Sequence, residues 1–273
     1  MGFSETGLTR EQQDRYQRQM NMEEIGEKGQ LKLAAGRVLI IGAGGLGSAA
    51  AFYLAAAGVG TIGIVDDGRV ELSNLQRQIL HTTDRIGTPK VDSARETLTA
   101  LNPEIGILTY NLRLNEANAA GLIRSYNVII GALDNFETRY LVNETCVRLR
   151  KPLVEGGVKG FNGLVMTILP GEGPCYCCVF PPAAPAGSKA PASEKPIPVF
   201  ATSPGVIGIL QAHEALRLLL KVGIPLAGRI LFYDGLTGSF YEQEVKRAPK
   251  CPCCGDLNPA QPGVYGRFSG KIY

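Results

Sequence analysis

Two sets of residues in this chain have the types and spacing to do chemistry. The first is a set of thiols. Residues 173–180 read GPCYCCVF and residues 251–255 read CPCCG, so Cys175-x-x-Cys178 and Cys251-x-x-Cys254 are two C-x2-C pairs. Two such pairs can supply four thiolates in a tetrahedron, the arrangement of a structural zinc site. Gly255, directly after the last thiolate, lets the backbone turn beneath the ion. Thiols this dense can also cycle to disulfides or attack a substrate. Cys177 and Cys253 are surplus to the tetrahedron and, lying between ligands, are expected to face away from the metal as bystanders. A sulfur relay through Cys177 is the sharper alternative. Cys146, in ETCVRLR, reads as a small core residue. His81 and His213 are isolated and carry no assigned role.

The second set handles phosphate. GAGGLG at 42–47 fits G-x-G-x-x-G, after an apolar strand and at the start of a helix. Gly42, Gly44, Gly45 and Gly47 permit a tight turn and close backbone approach, and the helix N-terminus offers unpaired N–H groups to an anion. Asp66, at the end of the next strand, can accept from a ribose hydroxyl. These features alone would suit a nicotinamide dehydrogenase. The stretch DGRVELSNLQRQILHTTDRIGTPK then places Arg77 and Lys90 beside the polar Asn74, Gln76 and Gln78. Hydride transfer has no use for cations at a triphosphate. A carboxylate attacking ATP does, because two anions must approach and charge builds on the leaving pyrophosphate. Mg²⁺ shares that load when a carboxylate holds it. Asp134 follows the strand VIIGALD, at the strand end where open α/β sheets place their sites.

These residues need a scaffold, and the apolar pattern supplies one. RVLIIGAG, TIGIVDD, EIGILTYN, NVIIGALD and PLVEGGV read as strands. GLGSAAAFYLAAAG, PKVDSARETLTALNP and NFETRYLVNETCVRLR read as the helices between them, which predicts a Rossmann-like, doubly wound α/β fold with a mainly parallel sheet. GFNGLVMTILP is a strand outside that alternation. PGVIGILQAHEALRLLLKVG is a helix ending at Gly223, and RILFYDGLTGSFYEQEV is a hairpin turning near Thr237-Gly238. The sheet should therefore continue into antiparallel strands that end at the four-cysteine zinc knuckle pair. The organisation expected is one single domain over 1–273. It comprises an N-terminal helical arm (1–35), a nucleotide-binding half (36–158), a second half (159–255) and a C-terminal tail (256–273). The proline-rich stretch 181–199 lacks aromatic residues and reads as a mobile loop.

Composition excludes several classes. The net charge of +3 leaves no nucleic-acid footprint. There is no apolar leader and no run long enough to span a membrane, and the cysteine clustering argues against a secreted disulfide framework. A cytoplasmic location is expected.

RYQRQ (15–19), VLIIGAGGLGSAAAFYLAAAGVG (38–60), ELSNLQRQIL (71–80), GTPKVDSARETL (87–98), DNFETRYLVN (134–143), the cysteine pairs and PGVIGILQAHEALRLL together resemble the ThiF/MoeB/HesA family. These are bacterial relatives of ubiquitin-activating enzymes, and the resemblance covers roughly residues 9–255. It implies adenylation of the C-terminal glycine carboxylate of a small ubiquitin-like sulfur carrier, with Mg-ATP consumed and pyrophosphate released. The acyl-adenylate then receives sulfur as a thiocarboxylate, in the biosynthesis of thiamine, molybdopterin or related metabolites. By the same resemblance Gly42, Gly44, Gly45 and Gly47 line the phosphates, and Asp66 holds the ribose. Asn74, Arg77 and Lys90 hold the phosphate chain, and Asp134 holds Mg²⁺. Arg15 would reach across from a neighbouring subunit, which implies a homodimer, and residues 159–255 would bind the carrier.

Two departures from the family pattern stand out. Gly68 occupies the second acidic position of an Asp-x-Asp pattern, and no cysteine lies between Val179 and Lys250 for loop-based covalent catalysis. Adenylation of a peptide or tRNA base, and a non-catalytic nucleotide-binding scaffold, are the competing expectations.

Overall fold

The computed structural model describes residues 7–182 and 197–255. Thr9 opens α1 (Arg10–Met20) with a capping box: its hydroxyl accepts from Gln12 N–H, and the Gln12 side chain answers Thr9 N–H. α2 (Gly26–Ala34) follows. The chain then runs β1 (Arg37–Ile41), α3 (Gly45–Ala56), β2 (Thr61–Val65), α4 (Lys90–Leu101), β3 (Gly106–Tyr110), α5 (Glu116–Arg124), β4 (Val128–Gly131), α6 (Phe136–Leu149) and β5 (Leu153–Lys159). The remaining elements are β6 (Asn162–Ile168), the short α7 (Tyr176–Val179), α8 (Ser203–Leu220), β7 (Arg229–Asp234) and β8 (Ser239–Glu244).

All eight strands join one sheet in the order β3-β2-β1-β4-β5-β6-β7-β8. Pairing is parallel from β3 to β5 and antiparallel from β5 to β8. The continuous apolar runs follow from burial on both faces. Val38, Ile40, Ile62, Ile64, Val128 and Ile130 meet Leu54 of α3, Leu98 of α4 and Leu218 of α8. Leu39, Ile41 and Ile129 point the other way, toward Ile123 of α5 and Val142 and Val147 of α6. The expected architecture is present, including the antiparallel extension and the turn before Ser239, where Gly238 has φ +71°.

Three local features differ from the sequence expectation. α5 was not foreseen; Asn115 caps it, accepting from Ala117 N–H and Asn118 N–H while the Asn118 side chain accepts Asn115 N–H. An asparagine fills the capping-box position where Glu or Gln is the usual signal. α8 ends at Leu220, and its C-cap Lys221 takes the left-handed conformation at φ 60°, ahead of Gly223. α7 is a single turn with Cys175, the first of the clustered cysteines, as its N-cap. Most of the proline-rich stretch 181–199, the tail 256–273 and the first residues of the N-terminal arm lie outside the described residues. Among the described residues no helix is long and apolar enough to cross a membrane.

Candidate adenylation site and thiolate cluster

Strand order reverses between β1 and β4, and the crevice beyond their carboxyl ends is where open sheets of this kind bind ligands. The glycine turn leaves β1 at Gly42, whose φ is +105°. A Cβ there would collide with the Ala132 carbonyl oxygen at the exit of β4, so the two strand exits touch. A Cβ on Gly47 would collide with the Gly42 carbonyl oxygen, which is why the helix can start so close to the strand only with glycine here. Gly44 is the N-cap of α3 and Gly45 its first residue, and no side chain caps the free N–H groups. That end can take an anion.

The turn is held from two sides at Ala43. Asp66 Oδ2 accepts the Ala43 N–H at 2.8 Å, while its Oδ1 accepts the Gly68 N–H at 2.7 Å. His81 Nε2 lies 3.0 Å from the Ala43 carbonyl oxygen, and its Nδ1 lies 3.0 Å from Ser93 Oγ of α4. Burial pushes the His81 pKa down, with the positive charge of Lys90 adding to it. The ring is therefore neutral, donating through Nε2 and accepting at Nδ1. Sequence reasoning left His81 without a role; its partners lie far away along the chain, and no local pattern marks it.

The predicted phosphate segment comes to the same place. Arg77 packs beside Gly45 and donates from Nη1 to the Ser73 carbonyl at 3.0 Å. Asn74 is buried in the turn Leu72–Asn74, where its Oδ1 accepts Glu71 N–H at 3.4 Å. Lys90 opens α4 with its backbone N–H on the Gly68 carbonyl at 3.0 Å. A Cβ on Gly68 would lie 3.0 Å from Asp66 Oδ1 and 3.5 Å from Lys90 Nζ, so Asp66 and Lys90 close over this glycine. A side chain there would need the Asp66 carboxylate to give by a few tenths of an ångström. Ser48 Oγ, in the first turn of α3, is buried without a partner among the described residues and can donate, whereas Gln78 Oε1, also unpartnered, only accepts. Such atoms are costly unless something binds them. With the uncapped helix end and two cations alongside, the donor set fits a bound phosphate chain.

Asp134 is exposed on the loop leaving β4, and Asn135 Nδ2 approaches it at 3.4 Å. Below it Arg139 of α6 donates to the Leu133 and Gly156 carbonyls and pairs with Glu155 of β5. Glu155 is buried, and burial lifts its pKa to about 7 against the pull of Arg139. This pair fixes the backbone that presents Asp134, and sequence reasoning missed it. A single carboxylate at the crevice mouth suits Mg²⁺, which keeps most of its waters.

Arg15 is not brought to this site within its own chain. Its Nη1 donates to the Leu101 carbonyl at 3.2 Å and its Nε lies 3.9 Å from Glu104. Leu101 ends the helix that Lys90 begins, about 17 Å away along its axis.

The four expected zinc ligands converge. Cys175 Sγ lies 3.8 Å from Cys178 and 3.6 Å from Cys251, and Cys178 lies 3.4 Å from Cys254. A tetrahedron with metal–sulfur bonds of about 2.3 Å has edges of about 3.8 Å, so the set fits a zinc ion. Ala248 N–H donates to Cys178 Sγ at 3.4 Å, a backbone contact that orients the ligand. An ion here would join the loop after β6 to the loop after β8. Cys177 and Cys253 do not turn away as expected; both come within 4.8 Å of Cys175. Cys146 is fully buried and its thiol pKa is pushed up by burial, then by Glu155, as befits an inert core residue.

A sequence model described as the ThiF family matches residues 16–253. The chain is 47% identical over 253 residues to a sulfur carrier protein adenylyltransferase of Thermus thermophilus, covering 91% of this chain and 93% of that one. It is 42% identical over 245 residues to the SAMP-activating enzyme E1 of Haloferax volcanii, covering 90% of each. A crystal structure of E. coli MccB with MccA-N7isoASN superposes with a TM-score of 0.79 at 24% identity, over 93% of this chain and 77% of that one, a likeness of fold.

Proposed function

The chain belongs to the ThiF family of adenylyltransferases, and from that premise we propose that it adenylates the C-terminal glycine carboxylate of a small ubiquitin-like sulfur carrier. The observation that carries the proposal is the uncapped N-terminus of α3, with the unpartnered Ser48 hydroxyl in its first turn and Arg77 and Lys90 alongside. The named activity of the 47% identical Thermus thermophilus relative supports a carrier protein as the acceptor.

ATP lies with its phosphates over Gly42, Gly44, Gly45 and Gly47 and its ribose toward Asp66. Both Asp66 oxygens already accept backbone N–H groups, and a carboxylate has further lone pairs for a hydroxyl. Asn74, Arg77 and Lys90 line the phosphate chain. The carrier carboxylate is ionised at neutral pH and needs no general base. Its oxygen attacks the α-phosphorus, the bond from that phosphorus to the bridging oxygen breaks, and pyrophosphate leaves. Arg77 and Lys90 neutralise the charge that develops, so catalysis is positioning plus electrostatics. Mg²⁺ held at Asp134 would supply further neutralisation of the phosphate oxygens. Zinc held by Cys175, Cys178, Cys251 and Cys254 would be structural, bracing the carrier-binding half at 159–255. Arg15 would complete the site of a second subunit in a homodimer. The acyl-adenylate is then activated for thiocarboxylate formation without a cysteine of this chain, in a cytoplasmic setting where ATP and reduced thiols are at hand.

The test is ATP–pyrophosphate exchange with Gly-Gly-ended small proteins as acceptors. Exchange that depends on such a carrier is expected. No exchange with any carrier, or equal exchange with unrelated peptides, would overturn the proposal.

A further inference from the structure

The two cysteine runs share one pattern, C-x-C-C: Cys175-Tyr176-Cys177-Cys178 and Cys251-Pro252-Cys253-Cys254. The outer cysteines of each run build the four-thiolate site. The middle ones, Cys177 and Cys253, form a second group with Cys175, their sulfurs all within 4.8 Å of one another. The two groups therefore share Cys175.

Asn143 of α6 serves the second group. It is fully buried, and its Oδ1 accepts the Tyr176 N–H at 2.9 Å, which fixes which way the amide faces. Its Nδ2 is thereby turned to the sulfurs, donating to Cys177 Sγ at 3.4 Å and to Cys253 Sγ at 3.1 Å. A buried amide that gives both N–H groups to sulfur marks those sulfurs as electron-rich acceptors. Donors of this kind orient ligands around bound metals. Arg247 donates to the Cys254 and Gly255 carbonyls and sets a guanidinium beside the cluster.

We propose that Cys175, Cys177 and Cys253 bind a second metal ion, copper(I), with the Cys175 thiolate bridging it to the ion of the four-thiolate site. Soft sulfur donors select thiophilic ions, and no oxygen or nitrogen ligand belongs to the group. Three sulfurs suit a threefold copper(I) site, whereas zinc in protein sites takes four ligands. Loading transfers no electrons: one copper(I) replaces the thiol protons of Cys177 and Cys253, which pass to solvent. The result is a second strap between the loops after β6 and β8. The inference rests on zinc occupying the four-thiolate site.

The test uses the full chain, reduced, zinc-loaded and kept anaerobic. Copper(I) is added against a chromophoric copper(I) chelator, and zinc is counted by elemental analysis in the same samples. The wild type should retain one copper per chain with its zinc undisturbed. Cys177→Ser and Cys253→Ser should each weaken copper binding by at least about 100-fold, at the upper end of what loss of a supporting contact alone costs, with zinc retained. Asn143→Leu should weaken it about 10–100-fold. Copper uptake unchanged in both serine variants, or uptake only as zinc leaves, would overturn the proposal. So would a wild type that takes no copper but forms a Cys177–Cys253 disulfide under peroxide. A chain without zinc would overturn it together with the four-thiolate assignment, while carrier-dependent exchange reports the adenylation site separately.

Discussion

His81 and Ala43 are joined across the glycine turn: the imidazole Nε2 lies 3.0 Å from the Ala43 carbonyl oxygen, while the Asp66 carboxylate accepts the Ala43 N–H at 2.8 Å. A residue clamped at both its backbone groups keeps the free N–H groups of α3 aimed at one point.

His81→Ala should therefore disturb ATP use more than folding. Loss of the buried bond is expected to cost about 1–3 kcal/mol of stability. A turn displaced by an ångström should lower kcat/KM for ATP by up to about 100-fold. Ser93→Ala, which leaves the Ala43 bond in place, should have a smaller effect on both. Exchange kinetics and denaturant melts of the two variants check this. An unchanged KM and kcat in His81→Ala would remove its positioning role.

The same histidine gives a pH signature. Its folded-state pKa is lowered below 6.5 by burial and by Lys90, while Asp66 and the Ala43 bond pull the other way. A base with a depressed folded pKa contributes stability fully above its unfolded pKa and loses it as pH falls through the folded value. The stability difference between wild type and His81→Ala should be largest above about pH 6.5 and shrink on acidification. Taking the difference removes Glu155, which titrates nearby and is present in both proteins.

Asp134→Ala should abolish Mg-dependent exchange, a fall of at least about 100-fold, or some 2.7 kcal/mol of barrier. The residue is exposed, so stability should stay within about 0.5 kcal/mol of wild type. Near-normal exchange would place the metal ligand elsewhere.

Arg15→Ala mixed with Asp134→Ala should regain part of the activity if the arginine acts in trans. Each mixed dimer then holds one intact site. Should Arg15 serve only its contacts to Leu101 and Glu104, the mixture will be as inactive as its parents or no different from Arg15→Ala alone.

Arg139→Met should destabilise the chain by about 3–5 kcal/mol, because it leaves Glu155 buried and unpaired. Glu155 has a folded pKa raised to about 7, so its favourable contribution exists at acid pH and is lost as pH rises through that value. The deficit of Arg139→Met should accordingly be smallest in acid. The double variant Arg139→Met with Glu155→Met should recover much of the loss, as urea melts across pH will report.

Much of this molecule is local in character and could be read from residue order. The glycine turn, the alternating strands and helices, and the two C-x2-C pairs each depend on neighbours a few positions apart, where periodicity and backbone geometry act directly. They determined the fold class, the glycine-rich, uncapped start of α3 and the four convergent thiols. Asn115 escaped notice because its cap used an asparagine partner in place of the acid or glutamine that marks a helix start.

Only the tertiary structure decided what joins residues distant in sequence. His81 and Asp66 meet at Ala43, and Arg139 reaches Glu155 beneath Asp134, because α4 and α6 pack on opposite faces of one sheet. Arg15 lies at the C-terminal end of α4, away from its expected partners at the start of that helix. Cys177 and Cys253, spare thiols by spacing alone, face each other under Asn143 because the loops after β6 and β8 close over the same helix. Such contacts depend on how whole elements pack, and no local pattern in a chain encodes them.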